Sequence, residues 1–384
     1  MNSQLHSQAI THCRLCRAEL PVSPIIDMAP FPIAAQHFPK SNEVADESTH
    51  CTVFQCPSCS LVQLKIKPVH YYKSVITAAV LSPAAKEIRF NEIKSFVEKY
   101  KLSDKRALEV GCGKGGMLDV IEDSGLHASG VEFEQEFVDE ALSHNRSVCQ
   151  SYLSDLSVSE VYDVIFSFNY LEHQPDIAEF LTHLGRITAN DAHVYITVPN
   201  LDYLLKTNSF YEFVPDHLVY FTAETLELAF RMHGFDVLEA CITNNENDIL
   251  LIAKKRKPLN IAQQYVEVEA LQLELNELVE SYVSKGKKIA VWGAGHRTLA
   301  LLALSNLHKI SSIVDSAPFK QGLYSPVLLT PIISPTEFED SDIDAVIVAV
   351  PGIYPKEVMK TIKGFKKQFD IYCLEDNRVV SYCD

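Results

Sequence analysis

The strongest constraint on the fold is a glycine-rich turn that joins an apolar segment to a helical one. The turn reads EVGCGKG over residues 109–115, and its first residues end the apolar segment 107–110. Glycine lets the backbone pass close to a ligand because no Cβ stands in the way. Glu132 ends the next strand-like segment, about twenty residues further on, where a carboxylate can bind the hydroxyls of a ribose. This combination predicts a nucleoside-binding site on an α/β sheet.

Strand-like and helical segments alternate along most of the chain. Residues 82–101 predict a helix with Ser82 as its N-cap, and residues 162–173 and 193–200 predict strands. A second strand–glycine–helix unit, KKIAVWGAGHRTLALLAL, begins at Lys287 and is followed by further apolar strands. Such alternation indicates a parallel, doubly wound sheet. We therefore predict an α/β fold with a second Rossmann-like sheet in the C-terminal part.

Two C-x2-C pairs stand near the N-terminus, Cys13 with Cys16 and Cys56 with Cys59. Each pair can form a tight knuckle that grips one ion, and two knuckles complete the tetrahedron that zinc prefers. Four thiolates close the site, so the metal is expected to fold the segment rather than to catalyse. Cys51 is a competing ligand. Reduced, unliganded thiols are the alternative, and a redox role is weaker because no thioredoxin-like pattern surrounds either pair.

Length and charge bound the class of protein. The 384 residues suffice for two or three domains, which we place at 1–70, 71–257 and 258–384. The net charge of −16 argues against a nucleic-acid-binding surface, which needs basic residues over the phosphates. No apolar run of about 18 residues is present, and the first residues lack a hydrophobic signal core, which predicts no membrane span. We therefore expect a cytoplasmic protein.

Two features of the last domain allow several interpretations. Residues 258–285 are polar, with apolar residues at helical spacing, and predict a connector helix; a helix that pairs two copies in a homodimer is the alternative. The turn WGAGHRT has Gly293 and Gly295 but lacks the third glycine of dinucleotide-binding turns. Taken alone, it fits a nicotinamide site, a phosphate at a helix N-terminus or a structural turn.

The first glycine turn resembles the E/D-x-G-x-G-x-G loop of class I S-adenosylmethionine (SAM) methyltransferases. NAD is the alternative ligand, but a carboxylate at Glu109 suits a cationic amino-acid group better than a pyrophosphate. The resemblance implies a SAM cofactor and this set of binding residues: Glu109, Gly111, Gly113, Gly115, Glu132, Asp155 and Asn169.

The order of the parts resembles the nucleotide-sugar C-methyltransferases that build branched deoxysugars, in which a four-cysteine module precedes a SAM domain and a second Rossmann-like domain. The segment VDSAPFKQGLYSP, residues 314–326, is similar to their D-x-x-P-x-K-Q-G-x-Y-x-P stretch. His296 and Arg297 depart from the usual glycine loop of that family. The resemblance implies a nucleotide-sugar substrate and these contacts to it: Tyr71, Arg297, Lys320, Gln321 and Tyr324.

The stretch FYEFVPDHLVYFT, residues 210–222, resembles the Y-x-E-H-L-x-Y-F-S segment that lies over the sugar in that family. The histidine is kept as His217, whereas Asp216 is shorter by one methylene and Val214 replaces the leading tyrosine. Methylation of carbon needs a carbanion equivalent, which a 4-keto-6-deoxy sugar offers beside its carbonyl. A neutral histidine suits the base because its unperturbed pKa is about 6.5.

The resemblance therefore implies His217 as the base, with Asp216 as its partner or as a ligand of the sugar. His173, after the strand 162–173, is the competing base or a proton shuttle. Tyr72, or less directly Tyr220, is expected to polarise the ketone, and the assignment between Tyr71 and Tyr72 is open.

Each of these residues also has a purely structural interpretation. His217 can be a satisfied structural histidine, and His173 can shape the cofactor pocket. Tyr211 and Tyr220 can be core aromatics, and Glu172 can be a surface cap.

Three other functions remain open at the level of sequence. An O- or N-methyltransferase of a nucleotide sugar or related metabolite needs only a base near a hydroxyl or amine. A nucleic-acid methyltransferase would use the zinc knuckle to dock RNA, which the acidic charge disfavours. A non-catalytic scaffold would bind SAM without turnover.

Overall fold

The computed structural model describes residues 10–36, 38, 48–73, 82–157 and 160–382. These divide into two units, Met1–Lys257 and Pro258–Asp384, each with its own core. Within the described ranges, no helix combines the length and apolar character needed to cross a membrane.

The first unit contains strands that build two sheets. In chain order they are β1 (Ile26–Pro32), β2 (Ser48–Gln55), β3 (Val62–Leu64), β4 (Arg106–Val110), β5 (His127–Glu132), β6 (Val148–Gln150), β7 (Tyr162–Phe168), β8 (Thr188–Pro199), β9 (Val219–Tyr220), β10 (Phe235–Thr243) and β11 (Asp248–Lys255). Its α-helices are α1 (Pro83–Tyr100), α2 (Gly116–Asp123), α3 (Gln135–Ser143), α4 (Ile177–Ile187), α5 (Leu201–Lys206) and α6 (Ala223–Met232).

Helix α1 forms where the sequence predicts it. The Ser82 hydroxyl accepts a hydrogen bond from the backbone N–H of Ala85, which caps the N-terminus, and Pro83 occupies the first turn. Ile93, Phe96 and Val97 are buried at helical spacing, so this face packs on the sheet.

The large sheet of the first unit has the order β10-β11-β8-β7-β4-β5-β6. Strands β4 to β8 are parallel to their neighbours in this group, as the sequence predicts. The prediction of a wholly parallel sheet is wrong at one edge, because β11 runs antiparallel to both β8 and β10. After β4, the chain adds β5 and β6 on one side of it and then β7 and β8 on the other. The carboxyl ends of β4, β5 and β7 therefore surround a topological switch point.

The N-terminal module forms a second sheet with the order β1-β2-β3-β9. Its last strand is supplied from far along the chain, since Val62 and Gln63 of β3 pair with Tyr220 and Val219 of β9. The cysteine-bearing segment therefore shares a sheet with the stretch that carries His217.

The second unit contains helices α7 (Ile261–Val283), α8 (His296–Leu304), α9 (Pro335–Glu339) and α10 (Tyr354–Lys363). Its strands are β12 (Ile289–Trp292), β13 (Ser312–Val314), β14 (Ile332–Ile333), β15 (Ala345–Val348), β16 (Asp370–Glu375) and β17 (Arg378–Ser381). They follow the order β14-β13-β12-β15-β16-β17 and are parallel except for β17. In α7, Leu271, Leu275 and Tyr282 are buried as predicted, whereas Tyr265 is exposed.

Candidate active site

The two cysteine pairs come together in one cluster. The Sγ atoms of Cys13 and Cys59 lie 3.6 Å apart, those of Cys16 and Cys56 lie 3.5 Å apart, and all four lie within 4.8 Å of one another. A tetrahedral zinc with bonds of about 2.3 Å places its sulfur atoms about 3.8 Å apart. The donor set therefore fits zinc. Cys51 lies outside the cluster, where its thiol donates to the carbonyl of Phe213.

Arg14 ties the cysteine cluster to the large sheet. Its guanidinium is buried and donates to the carbonyls of Pro175, 2.7 Å away, and Ile66, 2.6 Å away. Its own carbonyl accepts from the N–H of Ile177, the first residue of α4. The first knuckle thus holds the segment that follows His173. Nothing in the sequence predicts this role for Arg14 beyond its place inside the C-x2-C pair.

The first glycine turn needs glycine for a steric reason. Gly111 has a φ of +74°, and a Cβ added there would lie 2.8 Å from the ring of Tyr170. Tyr170 follows β7, so this contact joins the turn after β4 to the chain that leads into His173. The Tyr170 hydroxyl donates to the carbonyl of Lys73, which fixes the linker from the N-terminal module at the same place.

Two buried carboxylates flank the glycine turn. Glu132 accepts hydrogen bonds from the N–H groups of Gly113, Phe133 and Glu134, each 2.9 Å away. Glu109 is 3% exposed, and its Oε2 has no hydrogen-bond partner among the described residues. Burial and the neighbouring Glu132 raise the pKa of Glu109 well above its usual range. A buried acid without a partner fits a cationic ligand group, such as the ammonium of SAM.

The remaining predicted cofactor residues lie at the ends of the neighbouring elements. Asp155 is exposed at the end of the turn Leu153–Asp155 and accepts from the Ser154 hydroxyl. Asn169 follows β7 with a φ of +46°, accepts from the hydroxyl of Thr197 and donates to Asp248. Its side chain therefore braces the strand ends around the switch point.

Asp216 is bound to the N-terminal module rather than to the imidazole of its neighbour. Its carboxylate is 3% exposed and accepts from the hydroxyl of Tyr71, 2.6 Å away, and from the N–H of Ala35, 2.8 Å away. Asp216 lies in a turn that is closed by the hydrogen bond from the N–H of His217 to the carbonyl of Val214, and its carboxylate faces the donors of Tyr71 and Ala35. Of the two candidate tyrosines, Tyr71 is the one that contacts this loop.

His217 and His173 form a pair of partly buried imidazoles. Their ring centroids lie 4.8 Å apart, edge to face. Burial, followed by repulsion from His173, lowers the pKa of His217 to about 3, and burial also lowers the pKa of His173. Both rings are therefore neutral at neutral pH, which is the state that accepts a proton.

The loop of residues 213–218, here called the histidine loop, is held from two sides. The N–H of Leu64 in β3 donates to the carbonyl of Leu218, and the N–H of Leu218 donates to the carbonyl of Glu172. Nδ1 of His173 lies 2.7 Å from the carbonyl of Asp216. The module with the cysteines and the end of β7 therefore position His217 together.

Three aromatic candidates have different positions. The Tyr220 hydroxyl accepts from the N–H of Val214 and donates to the carbonyl of Glu212, so this buried residue supports the histidine loop. Tyr72 lies edge-on to Tyr152, with ring centroids 6.4 Å apart, and lines a pocket of about 200 Å³. Tyr211 is 72% exposed, so the prediction that it is a core aromatic is wrong, whereas that for Tyr220 is confirmed.

The prediction that Glu172 is a surface cap is wrong. The residue lies in the short helical turn Leu171–His173 after β7 and is 2% exposed. Polar residues after a strand are typical of a surface turn, but here the histidine loop and β9 lie against this turn, and the N–H of Leu218 donates to the carbonyl of Glu172. Glu172 is the candidate site residue that sequence reasoning missed.

The second unit places its predicted substrate residues around its own glycine turn. Lys320 donates to the carbonyl of Ala294 and to Asp315, both 3.0 Å away, and Gln321 donates to the carbonyl of Asp315. Arg297 is exposed at the start of α8. Tyr324 is 65% exposed. Lys320 and Gln321 thus stabilise the turn.

Two family models match the chain. One, described as a methyltransferase domain, matches residues 85–240. The other, described as a C-methyltransferase C-terminal domain, matches residues 253–370.

Curated relatives resemble the chain over different lengths. The C-methyltransferase NovU of Streptomyces niveus is 24% identical over 274 residues, which cover 63% of this chain and 65% of that protein. A ubiquinone biosynthesis O-methyltransferase of Marinobacter nauticus is 25% identical over 113 residues, 27% of this chain and 48% of that protein. The chain thus spans just under two thirds of the first relative's length and just under half of the second's.

Solved structures give weaker similarities. The magnesium protoporphyrin IX methyltransferase (ChlM) of Synechocystis PCC 6803 with bound SAH has a TM-score of 0.37 at 16% identity, covering 44% of this chain and 83% of that one. A SAM-dependent methyltransferase from Archaeoglobus fulgidus has a TM-score of 0.36 at 19% identity, covering 44% and 94%.

The family models agree with the strand order and the glycine turn of the first unit. They also agree with the resemblance carried by residues 314–326 of the second unit. The resemblance is confirmed at the level of the domains: the chain carries a methyltransferase domain and a C-methyltransferase C-terminal domain.

Proposed function

We propose that the protein methylates a carbon atom of a nucleotide-activated sugar, most directly a 4-keto-6-deoxy sugar, with SAM as the methyl donor. The observation that carries the proposal is the position of the His217 imidazole, which lies 4.8 Å from the ring of His173 in a loop that the N-terminal module holds beside the end of β7. Oxygen or nitrogen methylation does not need a base set so deeply into the site. The C-methyltransferase C-terminal domain and the similarity to a named C-methyltransferase support the same choice.

The proposed reaction begins with a proton transfer to His217. The imidazole takes the proton from the carbon next to the substrate carbonyl, and the electron pair moves into the carbonyl to give an enolate. The enolate carbon then forms a bond to the methyl group of SAM as the bond from methyl to sulfur breaks. The sulfonium becomes a neutral thioether, and the proton on His217 leaves to solvent. His173 orients the loop that carries His217, through the contact of its Nδ1 with the carbonyl of Asp216.

The cofactor is proposed to lie at the switch point of the large sheet. Glu109 would pair with the ammonium of its amino-acid part, and Glu132 would bind the ribose hydroxyls in exchange for its present backbone donors. SAM supplies the electrophilic methyl group. The contact between Gly111 and Tyr170 would fix the position of the glycine turn relative to the turn that carries His173.

Cys13, Cys16, Cys56 and Cys59 are proposed to hold a structural Zn²⁺. The ion would cross-link the two knuckles and thereby fix the sheet to which β9 belongs. In this proposal the metal is structural: it stabilises the core of the first unit and, through β9, the position of the histidine loop.

Labelled SAM and a panel of nucleotide-activated 4-keto-6-deoxy sugars test the function. We expect mass spectrometry to show a gain of one methyl group on carbon with the wild-type protein. His217→Asn should abolish the gain while SAM binding, measured by calorimetry, stays intact. A gain only with reduced or amino sugars, at oxygen or nitrogen, would overturn the proposal in favour of an O- or N-methyltransferase.

A further inference from the structure

We propose that Glu172 is a positioning residue that works with its proton in place, donating a hydrogen bond from its neutral carboxyl group to Nε2 of His173. This inference rests on the proposed function and extends it. It adds to the base a buried acid that keeps the imidazole pair neutral and oriented.

The position of Glu172 is the first support. Its side chain is 3% exposed, and its Oε2 is buried with no hydrogen-bond partner among the described residues. Its Oε1 lies 3.9 Å from Nε2 of His173. A small side-chain rotation brings these atoms into hydrogen-bond range. A buried oxygen without a hydrogen-bond partner destabilises the folded state, because burial removes the water that would bind it. Such an atom therefore calls for an explanation, and a role in the site is one.

The tautomer of His173 is the second support. A backbone carbonyl only accepts hydrogen bonds, so the contact of 2.7 Å between Nδ1 and the carbonyl of Asp216 requires a proton on Nδ1. In the neutral ring, Nε2 is then a bare acceptor. The acceptor lies towards the carboxyl group of Glu172. A protonated Glu172 can donate a hydrogen bond to this nitrogen. An ionised Glu172 cannot, because its oxygens and Nε2 would then all be acceptors.

The surrounding charges favour the protonated acid. Burial, with a further contribution from the anionic Asp248, raises the pKa of Glu172 to about 8. Asp248 on β11 is 2% exposed and has Arg89 of α1 at 3.7 Å. The other titratable groups around the turn are His173 on the turn itself, Asp216 and His217 on the histidine loop, and Tyr220 on β9.

The consequence for the reaction is a chain of contacts that ends at the base. Glu172 would hold His173, and His173 holds the carbonyl of Asp216, which precedes His217. The carbonyl of Glu172 also holds Leu218 on the other side of the base. Loss of the proton from Glu172 should loosen His173 and let His217 drift from the substrate carbon. The rate should therefore fall as the pH rises through the pKa of Glu172.

Glu172→Gln and Glu172→Ala test the inference against the control Glu246→Gln, which removes an exposed carboxylate. For the wild type we expect kcat to fall about tenfold per pH unit above the pKa of Glu172. Glutamine keeps a donor and cannot ionise, so this alkaline fall should disappear while the loss of kcat stays smaller than in the alanine variant. Alanine should lower kcat about tenfold to a hundredfold, as expected when a buried acceptor loses its donor.

An alkaline fall that persists in Glu172→Gln, or a glutamine variant as inactive as the alanine variant, would overturn the inference. Carbon-13 NMR of protein labelled at the glutamate carboxyl carbons provides a readout independent of turnover. One carboxyl should titrate near pH 8 in the wild type and be missing from Glu172→Gln. An ordinary glutamate pKa at this position overturns the inference even if methyl transfer is found. Absence of methyl transfer with a raised pKa overturns the proposed function instead.

Discussion

The two units carry the same strand–glycine–helix turn but fill it differently. In the first unit, Glu109 precedes the turn, and its buried Oε2 lacks a partner among the described residues. In the second unit, Val291 stands at the matching place before Gly293, and the ammonium of Lys320 lies against the turn, bound to Asp315. At the first turn the cations Lys114 and Arg146 are paired with Glu140 and Asp119 rather than with Glu109, whereas at the second turn Lys320 is paired with the acid beside the turn. Shared topology therefore sets where a ligand can lie, and the side chains decide whether one is needed.

Metal removal should give the largest difference between the units. The four cysteines belong to the first unit and share its core, and structural zinc contributes about 10–16 kcal/mol to the folding of small zinc domains. We expect a strong chelator to abolish SAM binding. Fluorescence of Trp292, the only tryptophan of the sequence and a residue of β12, should remain native. SAM binding that survives complete metal removal would contradict the role given to the cluster, and restoring Zn²⁺ is the control.

Substitution of the acid beside each glycine turn should give the second-largest difference between the units. Glu109→Gln removes the charge that would pair with the ammonium of SAM, at an expected cost of about 2–5 kcal/mol for a buried charge pair. Calorimetry should therefore show SAM binding weakened at least about thirtyfold. Asp315→Asn, the matched acid-to-amide change in the second turn, should leave SAM affinity unaltered. Equal losses in both variants would break the comparison.

Lys320→Met should affect stability but not cofactor binding. The substitution removes the Lys320 donor from the carbonyl of Ala294 and the paired cation from Asp315, whose Oδ2 keeps only the N–H of Ala294. A loss of about 1–3 kcal/mol in the free energy of unfolding of the second unit is expected. Denaturant titration followed by Trp292 fluorescence measures it, since this buried side chain lies beside the turn. An unchanged midpoint would show that Lys320 is not the internal cation of this turn.

The pH dependence of SAM affinity gives the smallest expected effect. Burial, with a further contribution from Glu132, raises the pKa of Glu109 well above its usual range, so the free protein favours the protonated form more than an exposed glutamate does. A cationic ligand favours the ionised form, so binding should release a proton. Affinity should then rise with pH, by at most about tenfold per unit, until the raised pKa is passed. Calorimetry in buffers with different ionisation enthalpies measures the proton count, and proton uptake would contradict the assignment.

Local patterns in the sequence were sufficient for much of this fold. The glycine turn, the acid that ends β5 and the cysteine pairs depend on residues close together in the chain, and each is found where it was expected. Helix α1 begins at its predicted cap for the same reason. Such features are encoded by spacing and by capping chemistry.

Long-range contacts could not be predicted in this way. β3 pairs with β9, but both segments are short and neither sequence predicts this partner. The apolar pattern of β11 predicts a strand but not its antiparallel direction. Glu172 reads as a surface residue until the histidine loop covers it. Asp216 could not be assigned to Tyr71 before the fold placed the N-terminal module beside the histidine loop.

Exchange of substrate hydrogen with solvent tests the central claim most directly. The protein is incubated in deuterium oxide with the product SAH and a nucleotide-activated 4-keto-6-deoxy sugar, so that proton transfer can occur without methyl transfer. We predict deuterium incorporation at the carbon beside the carbonyl, and its loss in His217→Asn with SAH binding intact. A wild-type protein that transfers methyl groups but never exchanges this hydrogen would contradict an enolate formed by His217.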